Sequence, residues 1–452
     1  MRISIRTWLT GLLIIVCILA ALTVRLRRAN APVVTAEEEI TLDYSRGGRS
    51  PIKVKLANPV AIAVANKPQP WGYFQFPIIS REPDDAISVK WSMKQDSVVG
   101  YGKAAGAVSA VSRDRGRTWE PYRWQAPGSI QTETGDVYLP NGDRLQIATP
   151  EAIKTDTLNL PPPVGSTLDV YTKTKRLFYP LSELPPAVQG VFFKRSPKGT
   201  TDAIVEHAKL EDPRGLRDSV AGLMPIVWWG DLHLAPDDSI IAGTYPGYAS
   251  RADGSVDPFM AASFYRSTDN GHSWKIQGRI PYQPDLHADP RGAERQGFTE
   301  PAFEFLDDGS LLCVMRTTDS TGTGPLYICY SSDLGVTWTK PEVVANSGIM
   351  PRLLRLANGV VVLSTGRPGV QLRFCAGGKG RRWTVPLEVL PYKNENDQVT
   401  CGYTGLLASG PDRFLLVYSD FKHLDEAKQL RKAIEVREVI VSRIQPAAPS
   451  QP

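Results

Sequence analysis

The sequence predicts an all-β chain: a six-bladed β-propeller of four-stranded antiparallel sheets, preceded by one N-terminal transmembrane helix. A turn template recurs along the chain, an apolar strand-turn-strand unit recurs between its copies, and one uncharged segment stands alone near the N-terminus.

The template is S-x-D-x-G-x-[ST]-W. It appears at Ser112–Trp119 (SRDRGRTW), Ser267–Trp274 (STDNGHSW) and Ser331–Trp338 (SSDLGVTW), and Ala376–Trp383 (AGGKGRRW) retains only its Gly380 and Trp383. Asp accepts backbone hydrogen bonds within a tight turn, Gly permits positive φ, and Trp buries a large ring under the loop. This is hairpin-turn chemistry and therefore a signature of fold. Between the copies, short apolar runs flank a turn rich in Asp, Asn or Gly, beginning at Phe76, Val137, Asp231, Pro301, Pro351 and Tyr403. Six such units predict six sheets, and a ring of sheets leaves no long exposed edge. Asp114 and Asp269 are 155 residues apart whereas Asp269 and Asp333 are 64 apart, so the first gap holds a further blade and an insertion, expected at 151–224. Helical periodicity is scarce, and Leu424–Lys432 is the best helix candidate.

Trp8–Val24 is 17 residues without a charge, with Arg2 and Arg6 before it and Arg25, Arg27 and Arg28 after it. It is at the short end of a membrane span and longer than the apolar region of a signal peptide. The expected organisation is a short segment 1–7, an uncleaved anchor 8–24, a linker 25–57, the propeller 58–442 and a disordered tail 443–452. The propeller would lie on the extracytoplasmic side of a membrane, or be secreted if the anchor were removed.

Lys and Arg number 52 against 47 Asp and Glu, a net charge of +5, interleaved without a long basic block. No nucleic-acid partner is therefore expected. Cys17 falls in the apolar segment. Cys313, Cys329, Cys375 and Cys401 lack C-x-x-C spacing and read as buried thiols in strands, with a disulfide between neighbouring strands as the alternative. His207, His233, His272, His287 and His423 show no metal-ligand spacing, so neither metal nor cofactor is expected.

The repeated turns resemble the Asp-boxes, or BNR repeats, of sialidases (neuraminidases), and the resemblance covers roughly residues 60–442. It implies a retaining exo-glycosidase releasing an acidic sugar, sialic acid or a relative, from glycoconjugates. Thr299-Glu300-Pro301 with Arg316 sixteen residues later resembles the family's Glu and one carboxylate-binding Arg. Arg367 resembles another binding Arg, and Tyr403, thirty-six residues on, the tyrosine nucleophile. Asp96, between the first hairpin and its Asp-box, is the positional candidate for the general acid. These residue types suit the chemistry. A guanidinium fork binds a carboxylate bidentately, and a neutral phenol deprotonated by Glu300 as it attacks avoids the repulsion an anionic nucleophile would meet.

The sequence departs from the family at Phe74-Gln75-Phe76-Pro77, where Gln75 stands for the first Arg of an Arg-Ile-Pro motif. A neutral amide forms no charge-assisted fork. Arg81 or Lys94 would have to substitute, the sugar would have to differ, or the chain would be a non-catalytic propeller binding glycans or proteins. Trp229, beside Trp228, reads either as a sugar-stacking platform or as inter-blade packing, and Asp231 and His233 as groups at the channel mouth.

Overall fold

The computed structural model describes residues 31–444 except 102–105, 125–130, 170–171, 201, 319–323, 378–379 and 395–396. The expected anchor 8–24 and residues 445–452 of the tail lie outside the described residues. Among the described residues no helix is long and apolar enough to cross a membrane.

Six blades form a ring, the second and third joined into one eight-stranded sheet where Lys209–Glu211 pairs in parallel with Ser273–Lys275. The first blade comprises Tyr73–Arg81, Ile87–Met93, Ala107–Ser112 and Arg123–Trp124. The second comprises Gln131–Tyr138, Arg144–Thr149, Val191–Ser196 and Ile204–Glu211, and the third Trp229–Leu234, Ile240–Gly247, Ala261–Ser267 and Ser273–Ile280. Phe298–Phe305, Leu311–Thr317, Leu326–Ser331 and Glu342–Ala345 form the fourth, and Ile349–Arg355, Val361–Gly366, Val370–Cys375 and Leu387–Leu390 the fifth. The sixth contains Thr404–Gly410, Arg413–Leu424 and Leu430–Arg443. The first strands of successive blades are neighbours in cyclic order, and the sixth blade meets the first.

Second strands such as Leu311–Thr317 are apolar on both faces because both are covered. Leu312 and Val314 pack toward the fifth blade, while Cys313 and Met315 pack toward the third. The ring closes with strands from both ends of the chain: Arg49–Leu56 and Val60–Val64 both pair with Leu430–Arg443, and Glu38–Asp43 adds outside Arg49–Leu56. The stretch 25–57, expected as a linker, therefore carries two strands, and the alternation in IKVKL buries Ile52, Val54 and Leu56 against the sixth blade.

Two further expectations are corrected. Within 151–224, only a five-stranded sheet built from Ile153–Lys154, Gly165–Leu168, Lys175–Pro180, Leu216–Val220 and Leu223–Met224 is inserted. Val191–Ser196 pairs with Arg144–Thr149 and belongs to the second blade. The helix expected at Leu424–Lys432 is instead the tip of a long hairpin. His423 pairs with Arg431, and Asp425 accepts the Gln429 N–H in a turn where Lys428 adopts φ 57°.

The Asp-boxes join third to fourth strands. In the third blade Ser267 Oγ donates to Asp269 Oδ1 at 2.7 Å and accepts the Gly271 N–H at 2.8 Å. Asp269 also accepts the Ser273 N–H and hydroxyl, at 2.9 and 2.6 Å. Trp274 Nε1 donates to the Gly271 carbonyl at 3.0 Å. The same bonds recur around Asp114 and Asp333, and the degenerate copy keeps the one from Trp383 to Gly380. Gly271 is required twice over: its φ is 90°, and a Cβ there would meet Leu145 of the preceding blade at 2.5 Å. Cys313, Cys329, Cys375 and Cys401 are free and buried, although Cys313 and Cys329 face one another across neighbouring strands.

Candidate active site

Antiparallel alternation decides which residues can meet. In a four-stranded up-and-down blade, the start of the first strand and the end of the second lie at one rim, and the third-to-fourth turn lies at the other. Glu300 and Tyr403 stand at or just before the start of a first strand, whereas Arg316, Arg367 and Asp96 stand at or just past the end of a second. The candidates thus share one rim, and the Asp-boxes occupy the opposite one.

Glu300 is the centre. Its Oε1 accepts from the Tyr403 hydroxyl at 2.7 Å and from Arg316 Nη1 at 2.8 Å, and its Oε2 accepts the Met350 N–H at 2.7 Å. Glu300 has φ 49° and precedes Pro301, at a bulge where the pairing skips from Thr299 to Ala302. The same bulge occurs at Phe76-Pro77 and Met350-Pro351, with φ 55° and 41°. Left-handed backbone in a non-glycine residue costs roughly 1–3 kcal/mol and gathers at functional sites. Phe76 is therefore the first blade's counterpart of Glu300, and its ring meets Tyr403 edge-on at 4.9 Å between centroids.

Burial, then the charges of Glu300 and Tyr245, push the Tyr403 hydroxyl well above the usual phenol range, against the opposing pull of Arg316. Tyr403 is accordingly a neutral phenol whose proton already points at a carboxylate. Arg367 donates from Nε to the Cys401 carbonyl at 3.1 Å, and its guanidinium lies 5.3 Å from the Trp71 ring centroid. Asp96 is exposed and accepts from Trp71 Nε1 at 3.2 Å.

Contacts pass round the mouth and return to their start. Tyr403 touches Phe76, Phe76 meets Trp71 at 6.3 Å, and Trp71 holds Asp96. The charge of Asp96 reaches the Tyr101 phenol, Tyr101 meets Trp229 at 5.2 Å, Trp229 meets Tyr245 at 5.6 Å, and Tyr245 acts on Tyr403. Trp229 is thus a rim residue, held by its Nε1 bond to Thr149 Oγ1, while Trp228 packs between blades against Phe193 and Trp274.

The remaining candidates separate. Asp231 is buried and ion-paired with Arg352 at 2.6 Å, a link between first strands of the third and fifth blades. His233 lies 3.7 Å from Glu304. Gln75 is fully buried, and among the described residues neither atom of its amide has a hydrogen-bond partner. Arg81 cannot replace an arginine at position 75, since it lies at the far end of the same strand and pairs with Asp85 at 2.8 Å. Lys94 donates to the Gly100 carbonyl at 2.9 Å. Sequence reasoning missed Phe76 and Met350, whose only mark is a proline after a first-strand residue, and missed Trp71, Tyr101, Tyr245 and Arg352, which carry no motif. Among the described residues, Asp420, His423 and Glu435 bring possible metal-ligand atoms within 4.8 Å of one another, a group formed across a hairpin and invisible as linear spacing.

No protein-family model matches the chain, and no curated protein matches it. Solved structures do. A protein of unknown function from Dyadobacter fermentans aligns with TM-score 0.55 and 16% identity over 86% of this chain and 99% of that one. The Hadza microbial sialidase Hz136 aligns with TM-score 0.49 and 15% identity, over 86% of this chain and 69% of that one. An alpha-L-arabinanase of Penicillium chrysogenum complexed with arabinobiose gives TM-score 0.48 and 14% identity, over 84% and 98%. At these identities the likeness concerns the fold alone.

Proposed function

We propose that the chain is a membrane-anchored, retaining exo-glycosidase that acts outside the cytoplasm on an acidic sugar, sialic acid or a relative, of glycoconjugates. The observation that carries this reading is the single Glu300 oxygen shared by the Tyr403 hydroxyl and Arg316. Tyr403 Oη attacks the anomeric carbon as its proton passes to Glu300, while Asp96 gives a proton to the departing oxygen. Water then cleaves the glycosyl–tyrosine bond, losing a proton to Asp96, and Glu300 returns its own to the phenolate. Arg316 and Arg367 hold the sugar's carboxylate.

A screen of the full chain against fluorogenic sialosides and uronides tests this, with Glu300→Gln as control. Turnover reduced by about 10²–10⁴-fold in the variant supports it, and no turnover by the wild type on any substrate overturns it. Gln75 favours a second reading, glycan binding without turnover, because its amide offers no charge for a carboxylate. Gain of sialoside cleavage by Gln75→Arg would count against that reading, and glycan binding with no hydrolysis would favour it.

A further inference from the structure

Trp71 stands between the two ends of this chemistry. Its Nε1–H donates to Asp96 Oδ2 at 3.2 Å, and the Arg367 guanidinium lies 5.3 Å from its ring centroid. Edge-on contacts with Phe76 at 6.3 Å and Phe421 at 6.4 Å hold the indole plane, and 37% of the residue stays exposed at the rim. We propose that Trp71 is a positioning residue for both the general acid and the carboxylate-binding arginine, an inference that rests on the glycosidase reading above.

An exposed carboxyl on a loop samples several rotamers and carries its proton on either oxygen. The indole N–H removes that freedom. In a protonated carboxyl, the oxygen that accepts an N–H remains the carbonyl, so the proton resides on Oδ1, the oxygen left for the departing group. The indole face, for its part, attracts a guanidinium and orients its plane. One side chain thereby sets the separation between acid and arginine, which proximity catalysis requires to be correct to within about 1 Å.

The Tyr101 phenol is pushed upward by burial and then by Asp96 itself. Arg176, Asp218 and Asp169 of the insertion act on Tyr101, and Arg176 is ion-paired with both carboxylates. Lys94 Nζ donates to the Gly100 carbonyl on the same loop.

Trp71→Phe keeps a ring and removes the N–H, whereas Trp71→Leu removes both, so each is assayed with an alkyl sialoside and with an activated 4-methylumbelliferyl sialoside. Trp71→Phe is expected to lose about tenfold in kcat on the alkyl substrate and less than about twofold on the activated one, whose leaving group needs no proton. Its KM stays unchanged. Trp71→Leu adds a rise of about tenfold in KM on both substrates as Arg367 loses its support. Equal losses on the two leaving groups would reduce Trp71 to packing and overturn the inference while leaving the glycosidase reading intact. Absence of turnover by the wild type would overturn both.

Discussion

At the scale of the residue, Glu300 combines a strained backbone with a fully engaged carboxylate. Three donors converge on it, two of them on Oε1, the oxygen that accepts from the Tyr403 hydroxyl. Removing the phenol leaves that geometry in place, so Tyr403→Phe should abolish turnover by at least about 10³-fold while sugar binding persists in equilibrium titration. Arg316→Lys should raise KM by about tenfold or more on a sialoside, since a point charge cannot reproduce the guanidinium fork and no longer braces Glu300. Glu300, Arg316, Arg367 and Tyr403 were singled out in the sequence by the resemblance of their order and spacing to a family pattern, and Glu300, Arg316 and Tyr403 are in contact in the fold. Phe76 and Met350 were not singled out, since their equivalence to Glu300 emerges only once the three bulges are superposed by register. The partner of Asp231 was hidden for a related reason: Arg352, with which it forms an ion pair, lies 121 positions away, in another blade.

At the scale of the element, the Asp-boxes and the long hairpin of the sixth blade differ in how they use carboxylates. Asp333 accepts from Ser331, from the Thr337 N–H and from the Thr337 hydroxyl. The degenerate turn ending at Trp383 survives with only its Trp-to-Gly bond. Asp333→Ala should therefore preserve the fold and cost about 1–3 kcal/mol, seen as a lower Tm. Asp420 behaves oppositely. Burial, then the neighbouring charge of Glu435, push its carboxyl up to about 6, against the Lys422 N–H that it accepts. Its unfolded value is about 3.9, so the folded chain binds the extra proton and stability falls as pH rises from about 4 through about 6. Asp420→Asn should match the wild type in Tm near pH 4 and exceed it at pH 8. The Asp-box hairpins were legible because every residue of the template has a separate bond to make. The tip of the long hairpin was mistaken for a helix because its alternation is interrupted by a bulge between Asp420 and His423 and by the turn at Asp425–Gln429.

At the scale of the whole molecule, the ring depends on strands contributed by residues 38–64. They cover Leu430–Arg443, and the carbonyls of Val34 and Ala36 before them and of Ala57 between them accept from the buried Arg437 guanidinium. A chain beginning at residue 66 should lose its single cooperative calorimetric transition, whereas one beginning at residue 31 should keep it. Six blades could be counted in the sequence because each repeats a turn. The seam could not, since a closing strand carries no repeat of its own and its polar, charge-rich approach through AEEE and SRGGRS has the composition of a tether.

That seam has a mechanical consequence. Force applied through residue 31 would first load the ladder of Glu38–Asp43 on Arg49–Leu56 and, beyond it, the ladder of Arg49–Leu56 on Leu430–Arg443. Traction on the leading end of the toroid is thus passed to Leu430–Arg443, whose hairpin partner Arg413–Leu424 is in turn paired with the strand that follows Tyr403.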